Sequence, residues 1–228
     1  VYLTRQCEQQ VKSMTHLYLG IDYSDDEIIG TINKAKSSDW KITYDKPKNI
    51  AMEVAQLLAN NQVVARCVGP MEFGARALGN RSILANPSDF ATVEEINATI
   101  KARDFWMPFT PSILSEDMDR YIINPKKIPA SYMSITFDTT EEARRDLKAA
   151  IHPRDKTARP QCVYKEWNED YHKIISEFKK LTGIGAVLNT SFNLHGEPNV
   201  CSPKDAMHTF LNSDLKYMAL GPYLVEKK

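Results

Sequence analysis

The sequence contains no CxxC pair, no HExxH or HxxxH pattern, and no apolar run near the roughly 18–20 residues that a membrane span requires. Its four cysteines, Cys7, Cys67, Cys162 and Cys201, are scattered along 228 residues. That spacing excludes a zinc knuckle and a small disulfide framework, and it fits reduced, buried thiols in a cytoplasmic protein. No charge of either sign dominates: 29 basic residues balance 29 acidic ones. A neutral chain excludes a broad nucleic-acid coat and an anionic membrane surface as partners, although a local cluster of cations in a pocket stays open. Nor does a signal peptide open the chain. It starts VYLTRQCEQQ without an initiator Met, which suggests a piece of something longer.

What is present is an alternation of helical and buried-strand patterns. A capping box at Ser24–Glu27 precedes DEIIGTINKAK, and Ile50, Val54, Leu57 and Leu58 share one helical face after Pro47. VVARCV (63–68), PFTPSIL (108–114), SYMSITFD (131–138), QCVYKE (161–166), IGAVLNT (184–190) and the closing MALGPYLVEKK read as strands. Further helices are expected from a Thr92-x-x-Glu95 box, from Thr140, over 169–183 with Gly183 as the stop, and from a Ser202-x-x-Asp205 box. The class is α/β, a mixed twisted open sheet with flanking helices. Residues 1–20 read as a linker and 21–228 as one domain.

Three segments carry unusual polarity beside apolar strands. In VGPMEFGARALGNRSILANP (68–87), Gly69 and Gly74 have phosphate-loop spacing, but Ala75-Arg76 replaces the required Lys-Ser/Thr, so this is no Walker motif. The segment still offers Glu72, Arg76, Asn80 and Arg81. In IKARDFWMPFTPSIL (100–114), Lys101 and Arg103 share one side if that stretch is extended, a poor choice unless an anion lies between them. In AVLNTSFNLHGEPNV (186–200), a buried strand ends in Asn189, Thr190, Ser191 and Asn193. Ligands of open α/β sheets bind at such carboxyl ends. A fourth run, HPRDKTARPQCV (152–163), adds Arg154, Lys156 and Arg159 ahead of a strand. For each segment an ordinary structural reading competes: a glycine-rich turn, a solvated edge, a capping turn or a basic loop.

Taken together, these segments resemble a known family. MEFGARALGNRSIL resembles the MEFGPRALGNRSIL signature of the nodulation-factor and antibiotic O-carbamoyltransferases. IKARDFWMPFTPSIL is similar to that family's IKxRExxRPFAPSVL, DKTARPQCV to DGTARxQxV, and LNTSFNLHGEPNV to NTSFNxxGEPIV. The resemblance spans roughly residues 17–227, with four motifs in order. This part of the family is in turn similar to the YrdC-like fold, whose Lys-x-Arg and Ser-x-Asn pairs surround a nucleotide; here those would be Lys101, Arg103, Ser191 and Asn193. Two residues depart from the pattern: Ala75 stands for Pro, and Lys156 for the Gly of DGTAR, where a glycine would reach a left-handed backbone more readily.

The resemblance implies formation of carbamoyl-adenylate from carbamoyl phosphate and ATP, with Mg2+ on the phosphates, and transfer of the carbamoyl group to a hydroxyl acceptor. Lys101, Arg103 and Arg76 would be the catalytic cations, with Arg81, Arg159, Asn189, Thr190, Ser191 and Asn193 binding nucleotide and phosphate, and no protein-held metal. An amino-terminal domain of the actin-like ATPase type, carrying the acceptor site, would complete the enzyme. Two rivals remain: a threonylcarbamoyl-adenylate synthase, against which MEFGARALGNRS speaks, and a non-catalytic nucleotide- or RNA-binding module, against whose extended RNA surface the neutral charge speaks.

Overall fold

The structure, a computed structural model, describes residues 15–37, 40–101 and 108–228. Helix α1 (Asp25–Lys36) starts at the expected capping box, in which Ser24 and Glu27 bond each other's backbone N–H, and buries Ile28, Ile32 and Ala35. Strand β1 (Ile42–Asp45) leads to α2 (Ile50–Ala59), capped by Asn49. Strands β2 (Val64–Cys67) and β3 (Arg81–Ala85) follow, joined by the glycine-rich segment. Helix α3 (Ala91–Ile96) continues into a π-helical turn, Asn97–Lys101. Next come β4 (Thr110–Leu114), a 3-10 turn (Ser115–Asp117), α4 (Met118–Tyr121), and the short pair β5 (Ile122–Ile123) and β6 (Asp138–Thr139). The remainder is α5 (Glu141–Asp146), β7 (Gln161–Val163), α6 (Glu169–Thr182), β8 (Ala186–Ser191), α7 (Pro203–Leu211), β9 (Tyr217–Leu220) and β10 (Tyr223–Lys227).

The described residues build one eight-stranded sheet in the order β1-β10-β9-β2-β3-β8-β4-β7 and a separate β5–β6 pair. Within the large sheet, β2/β9 and β4/β7 are parallel and the other neighbours antiparallel, so the sheet is mixed as expected. Strands buried on both faces read as continuous apolar runs rather than alternations. One apolar cluster packs α2 and α6 against Val64, Leu84, Val187 and Ala219; the other packs α1 and α7 against Ala65, Ile83, Leu188 and Met218. Adjacent strand residues thus feed opposite layers.

Several expectations are corrected. No Thr92–Glu95 capping box forms: α3 starts at Ala91, and buried Thr92 instead donates its hydroxyl to the carbonyls of Asn86 and Asp89. SYMSITFD is not a strand. Met133 has φ 53°, and pairing is confined to a bridge at Phe137 and to Asp138–Thr139. The closing segment is a hairpin of two strands turning at Gly221, whose φ of 55° requires a glycine-like conformation. Lys101 ends a π-helical turn and is not on extended backbone, so the proposed period-two alignment with Arg103 does not apply at Lys101; Arg103 lies outside the described residues. Residues 15–20, expected as linker, lie along the glycine-rich segment: Gly20 N–H donates to the Met71 carbonyl, Phe73 N–H to Leu17, and Tyr18 bridges Glu72.

Candidate functional site

β2, β8 and β9 run parallel in space, so their carboxyl ends and the amino end of β4 meet at one edge of the sheet. The β2–β3 connection, residues 68–80, crosses this edge. Buried Glu72 organises it: Oε1 accepts from the backbone N–H groups of Leu78 (2.8 Å), Asn80 (2.6 Å) and Arg81 (3.1 Å). A carboxylate gathering three main-chain donors lets a loop with no ladder of its own stay buried. Asn80 Nδ2 ties back to the Pro70 carbonyl, and Arg66 Nη1 donates to Gly79 O and Asn80 Oδ1 at 2.6 and 2.7 Å. Gly79, at φ 115°, packs so tightly on Tyr171 that a Cβ would stand 2.4 Å from its ring. Burial pulls the Arg66 guanidinium below its usual pKa.

Under this loop runs a polar chain. Tyr18 Oη donates to Leu78 O, and Gln161 Nε2 reaches both; Ser112 donates to Gln161 Oε1, and Asn189 Nδ2 donates to Ser112 Oγ at 2.9 Å and to Ala77 O at 3.2 Å. Burial pushes the Tyr18 hydroxyl up to about 12, so it stays a neutral donor at ordinary pH. Asn189 Oδ1 is buried and meets no hydrogen-bond donor among the described residues.

The fixed loop and the end of β8 enclose two adjoining cavities. The inner one, about 70 Å3, is lined by Asn189, Thr190 and Ser191 from β8, by Phe109 and Thr110, and by Arg76 and Arg159. The outer one, about 390 Å3, is lined by Phe73, Gly74, Tyr132 and Ser134 among others, and shares Ala75, Arg76, Met133 and Arg159 with the first. Arg76 is exposed at the loop's tip and makes no hydrogen bond or ion pair among the described residues, whereas Arg159 is half-buried. Two guanidiniums, two hydroxyls and a buried amide acceptor therefore converge, a set able to hold an oxyanion beside an N–H donor.

Of the residues expected to act together, Arg76, Arg159, Asn189, Thr190 and Ser191 share this site. Asn193 does not line either cavity; it accepts from Ser191 Oγ (2.6 Å) and donates to Leu194 O and Glu197 O, bracing the turn behind. Arg81 is turned away from both. At 1% exposure, its Nε donates to Cys201 O and its Nη1 to the carbonyls of Val68, Gly69 and Asn80, so its place is that of a tie between loop and α7 entry. The π-helical turn carries Lys101. Sequence reasoning missed Gln161, Ser112, Tyr18 and Arg66. Only the position of Gln161 and Ser112 inside the recognised motifs marked them.

Residues 55–227 match the model of the carbamoyltransferase C-terminus family. The chain is 43% identical over 194 residues to the protein MJ1051 of Methanocaldococcus jannaschii, covering 85% of this chain and 37% of that one. It is 41% identical to nodulation protein NolO of Bradyrhizobium diazoefficiens, covering 82% and 34%, and 36% identical to the 3'-hydroxymethylcephem-O-carbamoyltransferase of Amycolatopsis lactamdurans, covering 64% and 27%. It thus spans roughly a third of the length of these relatives. Among solved structures, full-length HypF in its phosphate- and nucleotide-bound form aligns at a TM-score of 0.53 and 17% identity over 75% of this chain and 24% of that one. Escherichia coli YciO aligns at 0.53 and 15% over 78% and 80%. These two show the fold, a YrdC-like one. With a family model covering most of its length and relatives above 40% identity, this chain belongs to the carbamoyltransferase C-terminal family.

Proposed function

We propose that the site forms carbamoyl-adenylate from carbamoyl phosphate and ATP, as one part of an O-carbamoyltransferase whose acceptor site lies on a preceding domain of the actin-like ATPase type. Membership of the carbamoyltransferase family supports the carbamoyl chemistry. The observation that carries the adenylation step is the pairing of Arg76 and Arg159 with a buried, donor-seeking Asn189 Oδ1 at one cavity.

In this reading water cleaves carbamoyl phosphate to carbamate and phosphate. A carbamate oxygen then attacks the α-phosphorus of ATP, and the bond to the leaving pyrophosphate breaks. Such a step asks the protein for positioning and charge stabilisation rather than covalent chemistry. Arg76 and Arg159 offset the repulsion between the anionic reactants, a role the family resemblance extends to Lys101 and Arg103. Thr190 and Ser191 supply hydroxyls to the phosphate oxygens, and Asn189 Oδ1 accepts from the carbamoyl NH2, which orients its oxygen toward phosphorus. No group of three His, Cys, Asp or Glu side chains suited to a metal occurs among the described residues. Mg2+ is expected on the ATP phosphates.

The assay is incubation with Mg2+, ATP and carbamoyl phosphate followed by separation of the nucleotides. The expected products are AMP and pyrophosphate, dependent on carbamoyl phosphate, with Arg76→Ala lowering the rate by at least tenfold, the loss of about 1.4 kcal/mol of charged hydrogen bonding. ADP as product, or turnover that needs threonine and bicarbonate instead, overturns the assignment.

A further inference from the structure

On the α2/α6 face of the sheet, a second cavity of about 490 Å3 opens between the start of α2, the first turns of α6 and the β9–β10 turn. It shares no lining residue with the Arg76–Ser191 site. Its inner wall includes Val54, Ile174, Ala219 and Arg66, none more than 3% exposed. Arg66 hydrogen-bonds only neutral oxygens, Gly79 O and Asn80 Oδ1, lies over the Tyr171 ring, feels the Asp170 and Glu72 carboxylates only at longer range, and its Nε is buried without a hydrogen-bond partner. A buried guanidinium without a close ion pair is costly, and an incoming anion relieves that cost.

Two further features point the same way. Lys48 and Lys173 line the cavity from α2's leading turn and from α6, and neither makes an ion pair or hydrogen bond among the described residues. Ile50 and Ala51, the first residues of the ten-residue α2, also line it, so the unpaired N–H groups and positive dipole end of that helix add to the cations. Three carboxylates line it as well. Asp25 is held by Lys46 at 2.6 Å, which leaves exposed Asp22 and Asp170. These two disfavour a polyanion such as a triphosphate and suit hydroxyl or amino groups. Tyr23, Ile28 and Pro222 supply apolar wall for an organic remainder.

From this juxtaposition we infer that the cavity is a second ligand site, which takes a small organic monophosphate with its phosphate between Arg66, Lys48, Lys173 and the α2 N-terminus. The volume suits a small metabolite and excludes a macromolecule. The assignment does not depend on the chemistry proposed for the Arg76 site.

The test is an amide-resonance titration of the whole chain with phenyl phosphate, inorganic phosphate, ATP and phenol. Phenyl phosphate is expected to shift the Ile50 and Ala51 amides saturably, more tightly than inorganic phosphate, with ATP and phenol weaker than either. The double variant Lys48→Gln/Lys173→Gln should bind phenyl phosphate at least tenfold more weakly, while Arg76→Ala should leave its affinity unchanged. Both lysines are exposed, so the melting temperature of the double variant should match that of the parent; if it does not, Lys173→Gln alone is read in its place, with a weakening of at least threefold expected. Shifts confined to residues 73–77, equal affinity for phenol, or an undiminished affinity in the lysine variant overturns the site.

Discussion

Glu72 concentrates the stability of the 68–80 loop in a single oxygen. Replacing it by Ala strands three buried N–H groups, those of Leu78, Asn80 and Arg81. At about 1–3 kcal/mol for each buried donor left unmade, Glu72→Ala should lose at least about 3 kcal/mol in urea denaturation, whereas Glu72→Gln, which keeps an oxygen acceptor, should lose roughly a third of that. Equal losses in the two variants would mean that the acceptor is not what matters. Residues of this kind explain how much of the site was legible. The motif pattern marked Glu72, Asn80, Arg81 and Asn189 as special, but a pattern carries no direction: Arg81 points at carbonyls and Arg76, five positions earlier, at a cavity. Lys156 shows a different limit. Expected to resist the left-handed region that a glycine favours, it adopts φ 60° all the same, held by its carbonyl's bond from Thr139 and its N–H to His152. Local preference of about 1 kcal/mol yields to one local turn bond and one tertiary bond.

At the scale of elements, caps and long periodic runs were readable because their signals are local. Helix α7 is an example: Ser202 Oγ accepts from Asp205 N–H at 3.2 Å and Asp205 Oδ2 from Ser202 N–H at 2.9 Å. Ser202→Ala should cost about 1 kcal/mol, seen as a lower urea midpoint at unchanged slope. No change would mean that the cap adds nothing beyond the Pro203 start. Where the signal was shared with tertiary contacts, reading failed. Thr92 had the right spacing for a cap, yet its hydroxyl is drawn to Asn86 O, and SYMSITFD had strand composition, yet Ser131 and Met133 are buried beneath the site in an irregular path. RSILA became a strand although the same residues close a glycine-rich motif, because β2 and β8 on either side supply its ladder.

For the molecule as a whole, the α/β class and the mixed sheet follow from the alternation of patterns, whereas strand order does not, since it depends on contacts far apart in the chain. The buried tyrosines give the whole molecule a pH limit. Burial raises Tyr18 and Tyr121 to about 12 and Tyr171 further, from an ordinary value near 10. Above pH 10 the unfolded chain releases protons that the folded one retains. Stability is therefore complete below about pH 10 and falls as pH rises toward 12. Thermal melts between pH 8 and 12 should show this decline beginning near 10, with Tyr18→Phe shallower than the parent; identical slopes would remove Tyr18 from the account.

The strand order also sets a timetable. β2 lies in the middle of the sheet, yet one of its two neighbours is β9, and β1 pairs only with β10. As the chain leaves the ribosome, β2 is synthesised some 150 residues before the strand that will cover that edge. Until residues 217–227 emerge, an apolar interior strand presents bare N–H and C=O groups, the kind of template on which chains cross-pair. Closure of the sheet is thus deferred to residues 217–227, and a ribosome stalled just short of them would hold the rest of the sheet with this interior edge still open.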